Sequence, residues 1–576
     1  MSLSINPSVK LFKVIDPEIN SGQDPAIGIL IGSDRVDYRT ISSTNSTASS
    51  LGFSIRPPSN VYMSRKVLLR MRVTLTFTGT APIGQNLLST GFDSFRSWPL
   101  ATIMENLQIK LNGRSFSIPQ RDLVKALMWV NSKENQMEKT WSTTPTMLDQ
   151  SQEYSDLTNF VRNPLGGYGE SPEDAQMPRG GFVYESVINT NTDATIVAIL
   201  TEPLMISPNS WQKGNDLGYF YLQTYDVDIN WSSDLNRMWS HALNPGVVID
   251  TINVALDTNP KLLVKYMNPN SAFSQIPNMI SIPFSEIARF KTDQSVLMTP
   301  LTDPQIAISS DIELQSIPAS LIIFAKRRNS EDTFLTTDTF LGITNLSITW
   351  NSVSGLLAGS DQRQLYQLSV QNGLEMSFSQ FSGRNFFLSG SDIIQIGGVG
   401  SVVVINPSRD LGLPVSEVTG SLSTVHLQVN ATIKNITSTT STTNDITPTL
   451  YVIPQYIGTV TFDQSGQITR QQGIISRQDV VEAVIKMLPE YDFNMLQTAA
   501  MYGGVDFFQQ AGERIKKFFE EDIPKGLKFA EKNLLPIAKA LIPVLLPLLG
   551  LGDIPKGKKQ GGRLLTRAQL AKKLLR

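Results

Sequence analysis

Alternation of apolar and polar positions dominates the chain from about residue 60 to residue 470 and predicts a protein built of strands. In KVLLRMRVTLTF, Val67, Leu69, Met71, Val73, Leu75 and Phe77 share one phase, while Arg70, Arg72, Thr74 and Thr76 take the other. Successive side chains of a strand point to opposite faces, so this spacing predicts a strand buried on one side. Asn112-Gly113 predicts a two-residue hairpin, because both central positions of a type I′ turn need positive φ. With that loop, Leu111 pairs with Arg114, Ile109 with Phe116 and Leu107 with Ile118, and apolar partners meet across the ladder. A helix is expected over 121–130, with Leu123, Ala126, Leu127 and Val130 on one side. Further strands are predicted at 194–200, broken at Pro203, and at 252–256. In FYLQTYDVDINW the phase changes between Phe220/Leu222 and Tyr225/Val227/Ile229/Trp231, which predicts a β-bulge near Gln223–Thr224.

A second series of strands begins near Lys261 and takes in 306–317, 321–325, 346–350, 401–405, 425–433 and 450–462. A short helix over 360–370 closes at Gly373 after Asn372, and the polar stretch 438–447 reads as a solvent-exposed loop. The run ISSTNSTASS, 41–50, marks an extended arm over 1–54. After about residue 470 the period becomes helical. Ser476-x-x-Asp479 resembles a capping box. Phe508, Ile515, Phe518 and Phe519 form an apolar stripe, and 534–551 is almost wholly apolar although Pro536, Lys539, Pro543 and Pro547 interrupt it. The expected fold is mainly β: two tandem eight-stranded jelly-roll sandwiches over 55–260 and 261–470, plus a helical C-terminal extension over 471–576.

Composition narrows the chemistry. With no cysteine, thiolate catalysis, Cys-ligated metals and disulfides are excluded. The two histidines, His241 and His426, lie 185 positions apart, so a His-rich metal site is excluded too. No G-x-S-x-G or G-x-x-x-x-G-K-[ST] occurs. GGVGS at 397–401 is followed by strand-forming VVVI rather than a helix, which favours a tight turn over a phosphate cradle. Asp226 and Asp228 share a strand face and read as exposed acids, and both histidines read as structural. No catalytic, cofactor or metal site is expected.

Charge is sparse, at 17% of residues, and uneven. From 513 to 576 there are 15 Lys/Arg against 6 Asp/Glu, whereas residues 1–512 carry a net −11. Lys556, Lys558, Lys559, Arg563, Arg567, Lys572, Lys573 and Arg576 occupy a tail without acids, suited to nonspecific contact with nucleic-acid phosphates. It has no aromatic residue for base stacking. Phe508, Ile515, Phe518, Phe519, Leu534, Leu541, Leu545 and Leu548 are the candidates for contact with a partner protein or a membrane.

Two β-rich halves, SIPASLIIFAKRR at 316–328, FLGITNLSITWNS…QLYQLSVQNG between 340 and 373, and FRSWPLATIMENLQIKLNGRSFSIP at 95–119 resemble double jelly-roll major capsid proteins of virophages and polinton-like viruses. The resemblance covers about 55–462 in pattern and order. It implies a homotrimer of six similar barrels, a pseudo-hexameric capsomer tiling an icosahedral shell, with neighbouring capsomers, penton and minor capsid proteins as partners. The long basic C-terminus departs from it and is similar to internal peptides that other capsids carry on separate chains. The expected function is therefore a non-enzymatic virion protein whose tail meets the genome and whose apolar helices meet other subunits, a minor protein or an internal membrane. Two rivals remain at this point: a two-domain β-sandwich carbohydrate-binding protein or glycosidase with a membrane-active tail, and a single jelly-roll capsid protein with a projecting domain.

Overall fold

The computed structural model describes residues 35–89, 92–130, 144–152, 154, 163, 183–209, 218–242, 244–269, 278–300, 303–389, 392–413, 419–437 and 444–472. The chain divides into two compact units, Met1–Glu313 with Ser320–Ile405 and His426–Gln472, and Leu314–Ala319 with Asn406–Val425 and Gly473–Arg576.

Within the first unit, strands up to residue 268 form one pair of sheets. They include β1 (Arg35–Ser42), β2 (Ser50–Ile55), β3 (Leu68–Thr80), β4 (Met104–Leu111), β5 (Arg114–Ile118), β6 (Val183–Asn189), β7 (Asp193–Pro203), β8 (Tyr225–Trp231), β9 (Val248–Leu256) and β10 (Lys261–Asn268). A seven-stranded sheet runs β1–β10–β3–β7–β6, with β9 also on β3, and a five-stranded sheet contains β2–β8–β4–β5. The alternation in β3 sorts as expected: Leu69, Met71, Val73, Leu75 and Phe77 are buried, and Arg70, Arg72 and Thr76 are exposed. Each buried side chain of this size contributes about 1.5–3 kcal/mol. The Asn112-Gly113 hairpin has the expected register, and its φ values of 43° and 82° are both positive.

The second pair of sheets follows. It includes β11 (Met279–Ile287), β12 (Gln305–Ile308), β13 (Ser320–Arg327), β14 (Gly342–Trp350), β15 (Val402–Ile405), β16 (Leu422–Lys434), β17 (Pro448–Asp463) and β18 (Ile468–Gln472). A six-stranded sheet runs β11–β17–β13–β15 with β18 on β17, and a second sheet contains β12–β16–β14. Among the helices, α1 is Pro99–Ile103, α2 is Gln120–Leu127 and α3 is Gln362–Gln371. Asp361 and Gln364 close a capping box at the start of α3, and Gly373 (φ 96°) follows its end. In the second unit, Asn406 caps the short helix Pro407–Asp410 and Ile317 N–H donates to the Ser421 carbonyl at 3.1 Å.

Several expectations change. The arm expected over 1–54 becomes sheet from Arg35, because β1 pairs residue for residue with β10, from Arg35↔Asn268 to Ser42↔Lys261. By the same pairing, 261–268 belongs with the first pair of sheets rather than opening the second. No bulge forms at Gln223–Thr224, since β8 begins only at Tyr225. Phe220 and Leu222 are buried from an irregular approach in which Tyr221 takes φ 60°, and the Asn112 Oδ1 accepts from the N–H groups of Gln223 and Thr224 at 2.7 and 3.0 Å. The loop 438–447 is not wholly exposed, because Ile446 is buried against Met298. The capping box at Ser476 lies outside the described residues.

β6 is a sheet edge with Val183, Tyr184, Val187 and Ile188 all exposed.

Candidate functional site: a charged seam between the two pairs of sheets

Three short elements of the first pair of sheets deliver three buried cations to one point. Arg96 follows Asp93–Phe95, a short strand paired with Trp239–His241. Arg237 sits in the 3-10 turn Leu235–Met238 just before that partner, and Lys125 lies on α2. All three reach Asp338, which lies between the 3-10 turn Asn329–Glu331 and β14. The Asp338 carboxylate is 2.7 Å from Arg237, 3.1 Å from Lys125 and 3.3 Å from Arg96. Burial alone raises a carboxyl pKa, yet attraction from Arg96, Lys125 and Arg237 overcomes it and holds Asp338 well below 3.8.

The guanidinium groups also satisfy backbone carbonyls of the same segment. Arg96 donates to Thr333 O at 3.0 Å and to Thr336 O, and Arg237 donates to Thr336 O at 2.8 Å and to Thr333 O. The planar fork of Arg suits this multiple donation, which a Lys could not reproduce. Asp149 completes the knot by accepting from the Tyr154 hydroxyl and from the Asp338 N–H, both at 2.8 Å.

A second knot forms around Asp122 on the same helix. It is ion-paired with Arg289, lies 3.5 Å from Lys326, and accepts from Asn329 Nδ2 at 2.7 Å and the Tyr451 hydroxyl at 3.3 Å. Burial opposes its charge, but Lys326, Asn329 and Arg289 prevail and hold the pKa at about 2. A depressed carboxylate pKa contributes stability that is fully present above the unfolded value and lost as pH falls through the folded one. The drop from 3.8 to about 2 corresponds to about 2 kcal/mol, lost on acidification between those values. Unfolding titrations between pH 5 and pH 2 should therefore show the wild type losing about 2 kcal/mol more than Asp122→Asn; parallel losses would remove Asp122 from the seam's energetics.

Elsewhere along the seam, the Asn112 Nδ2 donates to Tyr221 O at 3.1 Å and to Gly466 O at 2.7 Å, so the hairpin tip joins both pairs of sheets. Phe116 meets Phe284 edge-on at 5.2 Å, and Tyr219 meets Phe462 at 5.7 Å. Gly400 (φ 98°) passes so close to Phe340 that an added Cβ would lie 2.0 Å from its carbonyl oxygen. This is the tight turn expected of GGVGS, followed directly by β15. The seam positions no exposed nucleophile. Its buried carboxylates, Asp122 and Asp338, are each paired with cations.

The other residues singled out in the sequence fall as follows. Asp226 accepts from Ser54 Oγ at 2.6 Å and Asp228 pairs with Lys110 at 2.8 Å, both on a strand face. His241 is buried, with Nδ1 2.8 Å from Asp93, whereas His426 is exposed, 3.2 Å from Asp311. Among the described residues no cluster of His, Asp or Glu could hold a metal, and no helix is long and apolar enough to cross a membrane. The basic tail residues Lys556–Arg576 and the apolar candidates Phe508–Leu548 all lie outside the described residues.

Arg96, Asp122, Lys125, Arg237 and Asp338 were not marked by periodicity. The helix over 121–130 is expected to bury one apolar side, yet Asp122 and Lys125 are also buried and Leu127 is half-exposed. A usable signal exists in hindsight: Arg96 between Phe95 and Trp98, and Arg237 beside Met238 and Trp239, are lone cations in aromatic surroundings of a charge-poor chain.

Two pairs of antiparallel sheets fused through a buried seam have close counterparts among known proteins. Residues 9–274 match the family model of the Sputnik virophage major capsid protein first domain, and residues 292–458 match that of the major capsid protein V20 C-terminal domain. Capsid protein V20 of the Sputnik virophage is 28% identical over 609 aligned positions spanning all of both chains. The cryo-EM structure of the Sputnik virophage superposes with a TM-score of 0.73 at 27% identity, covering 82% of this chain and 95% of that one. The crystal structure of the mavirus major capsid protein shares the fold, with a TM-score of 0.65 at 17% identity over 82% of this chain and 98% of that one. The class is thus a mainly β capsid subunit, structural and not enzymatic. Within it, the chain belongs to the major capsid proteins of virophage type.

Proposed function

We propose that the chain trimerises into pseudo-hexameric capsomers that tile an icosahedral shell, each chain supplying two eight-stranded jelly rolls. The seam carries this reading. Buried ion pairs are sensitive to geometry, and a knot of three cations on one carboxylate fixes the two pairs of sheets as one rigid brick. A rigid two-part brick is what a capsomer with six similar corners needs from three chains. Sparse charge and the exposed apolar edge β6 favour broad contacts between copies.

In the same reading, 471–576 forms a helical extension that faces the particle interior, where the basic tail offsets genome charge. The apolar segments there bind neighbouring subunits, minor capsid proteins or an internal membrane. Synthesis is in the host cell, and the working location is the virion. Light scattering of purified full-length protein should give the mass of three chains, and electron micrographs should show hexagonal plates or shells; a monomer at high concentration would refute the assembly role.

A further inference from the structure

The side-chain amide of Asn112, at the tip of the β4–β5 hairpin, is gripped at both ends. Its Oδ1 accepts from the N–H groups of Gln223 and Thr224 at 2.7 and 3.0 Å, and its Nδ2 donates to Tyr221 O at 3.1 Å and to Gly466 O at 2.7 Å. Two donors on one side and two acceptors on the other match a carboxamide. A carboxylate of the same shape has no hydrogen to donate, so an Asp here would set negative charge against the carbonyl oxygens of Tyr221 and Gly466. Gly466 lies in the turn between β17 and β18, so this end of the amide ties the first pair of sheets to the second. The approach is close: a Cβ added at Gly466 would lie 2.3 Å from Gln223 Nε2, which itself donates to Ser465 O at 3.2 Å.

The same amide is followed by Gly113, and that neighbour makes it perishable. Glycine has no side chain to crowd its backbone nitrogen, and its chain turns freely enough to bring that nitrogen to the Asn112 Cγ. The nitrogen gives up its proton and attacks Cγ. A new C–N bond closes a five-membered succinimide ring, the Cγ–Nδ2 bond breaks, and the amide nitrogen leaves as ammonia. Water then opens the ring at either carbonyl, giving Asp or its isomer with the chain running through the side-chain carbon. In the folded chain the attack requires the amide to turn away from all its partners at once, on both pairs of sheets.

We propose that Asn112-Gly113 is a site of spontaneous deamidation, shielded while the hairpin tip is docked and reactive whenever it is not. The reaction runs one way, and its product is the residue type that the docking site rejects. A chain that lingers unfolded therefore loses this tie between its two pairs of sheets for good. The other Asn-Gly pair of the sequence, Asn372-Gly373, is held differently. Asn372 Nδ2 donates to Leu368 O at 2.9 Å and Val404 O at 3.0 Å, both within the second pair of sheets and its helix, so its loss leaves the seam untouched.

Full-length protein is incubated in mildly alkaline buffer with and without concentrated urea, then digested, and the peptide carrying residue 112 is followed by mass spectrometry. In urea it should gain the mass difference between amide and acid, and in buffer the gain should be slower by at least about tenfold. Gly113→Ala, whose methyl group crowds the attacking nitrogen, should slow the gain in urea. Asn112→Asp, the product made directly, should melt about 4 °C below the wild type; if it does not fold at all, the two rates decide alone. Equal rates with and without urea overturn the proposal. So does a gain in urea that is unchanged in Gly113→Ala, and so does an Asn112→Asp protein that melts with the wild type.

Discussion

Asp338→Asn should destabilise the protein by about 3–5 kcal/mol, the largest effect expected of any single isosteric change in the seam. The substitution keeps the shape of the side chain and removes its charge. Arg96, Lys125 and Arg237 are then left facing one another in a buried site, with Asp149 at 3.9 Å from Arg96 and Asp332 at 3.6 Å from Arg237 as remaining counter-charges. The penalty is dominated by those abandoned cations rather than by the lost pairs themselves. Chemical unfolding of Asp338→Asn and of Asp226→Asn, a half-exposed acid bonded to Ser54, gives the comparison. The second variant should lie within about 0.5 kcal/mol of wild type. Equal midpoints for the two would mean that the seam does not hold the fold.

Removing residues 554–576 should abolish most nonspecific DNA affinity. The deleted tail contains eight cations and no acid. Neutralising phosphates releases counterions, with a slope of roughly −0.9 per contact in a plot of log affinity against log salt. If all eight engage, affinity of the intact chain falls by about 10³–10⁵ between 50 and 200 mM salt. The truncated chain, with a net negative body, should bind weakly with a nearly flat salt response while keeping the mass of the intact assembly. A steep slope that persists after truncation would place the phosphate contacts elsewhere.

What could be read from the sequence was what is local and periodic. Val67–Phe77 declares a strand because a two-residue period needs no knowledge of its partner, and Asn112-Gly113 declares its hairpin because positive φ is written into those two residue types. β1 is not legible because the Ser/Thr/Asn-rich run 41–50 that adjoins it mimics a linker and its partner β10 lies more than two hundred residues away. The entry into β8 is illegible for a related reason. Its conformation is imposed by Asn112, a residue of another hairpin. The seam was the least legible part, since a charged residue reads as solvated until its distant counter-charge is known. Arg96 and Asp338 are joined only by the fold.

The spacing along the chain between Arg96, Lys125 and Arg237 and their shared carboxylate also sets an order of events during synthesis. A ribosome has delivered all three cations about a hundred residues before Asp338 emerges. Until then the three cations are without their shared carboxylate, and burying them before it arrives is unfavourable. A chain interrupted before residue 338 therefore lacks the carboxylate that Arg96, Lys125 and Arg237 share in the full-length fold.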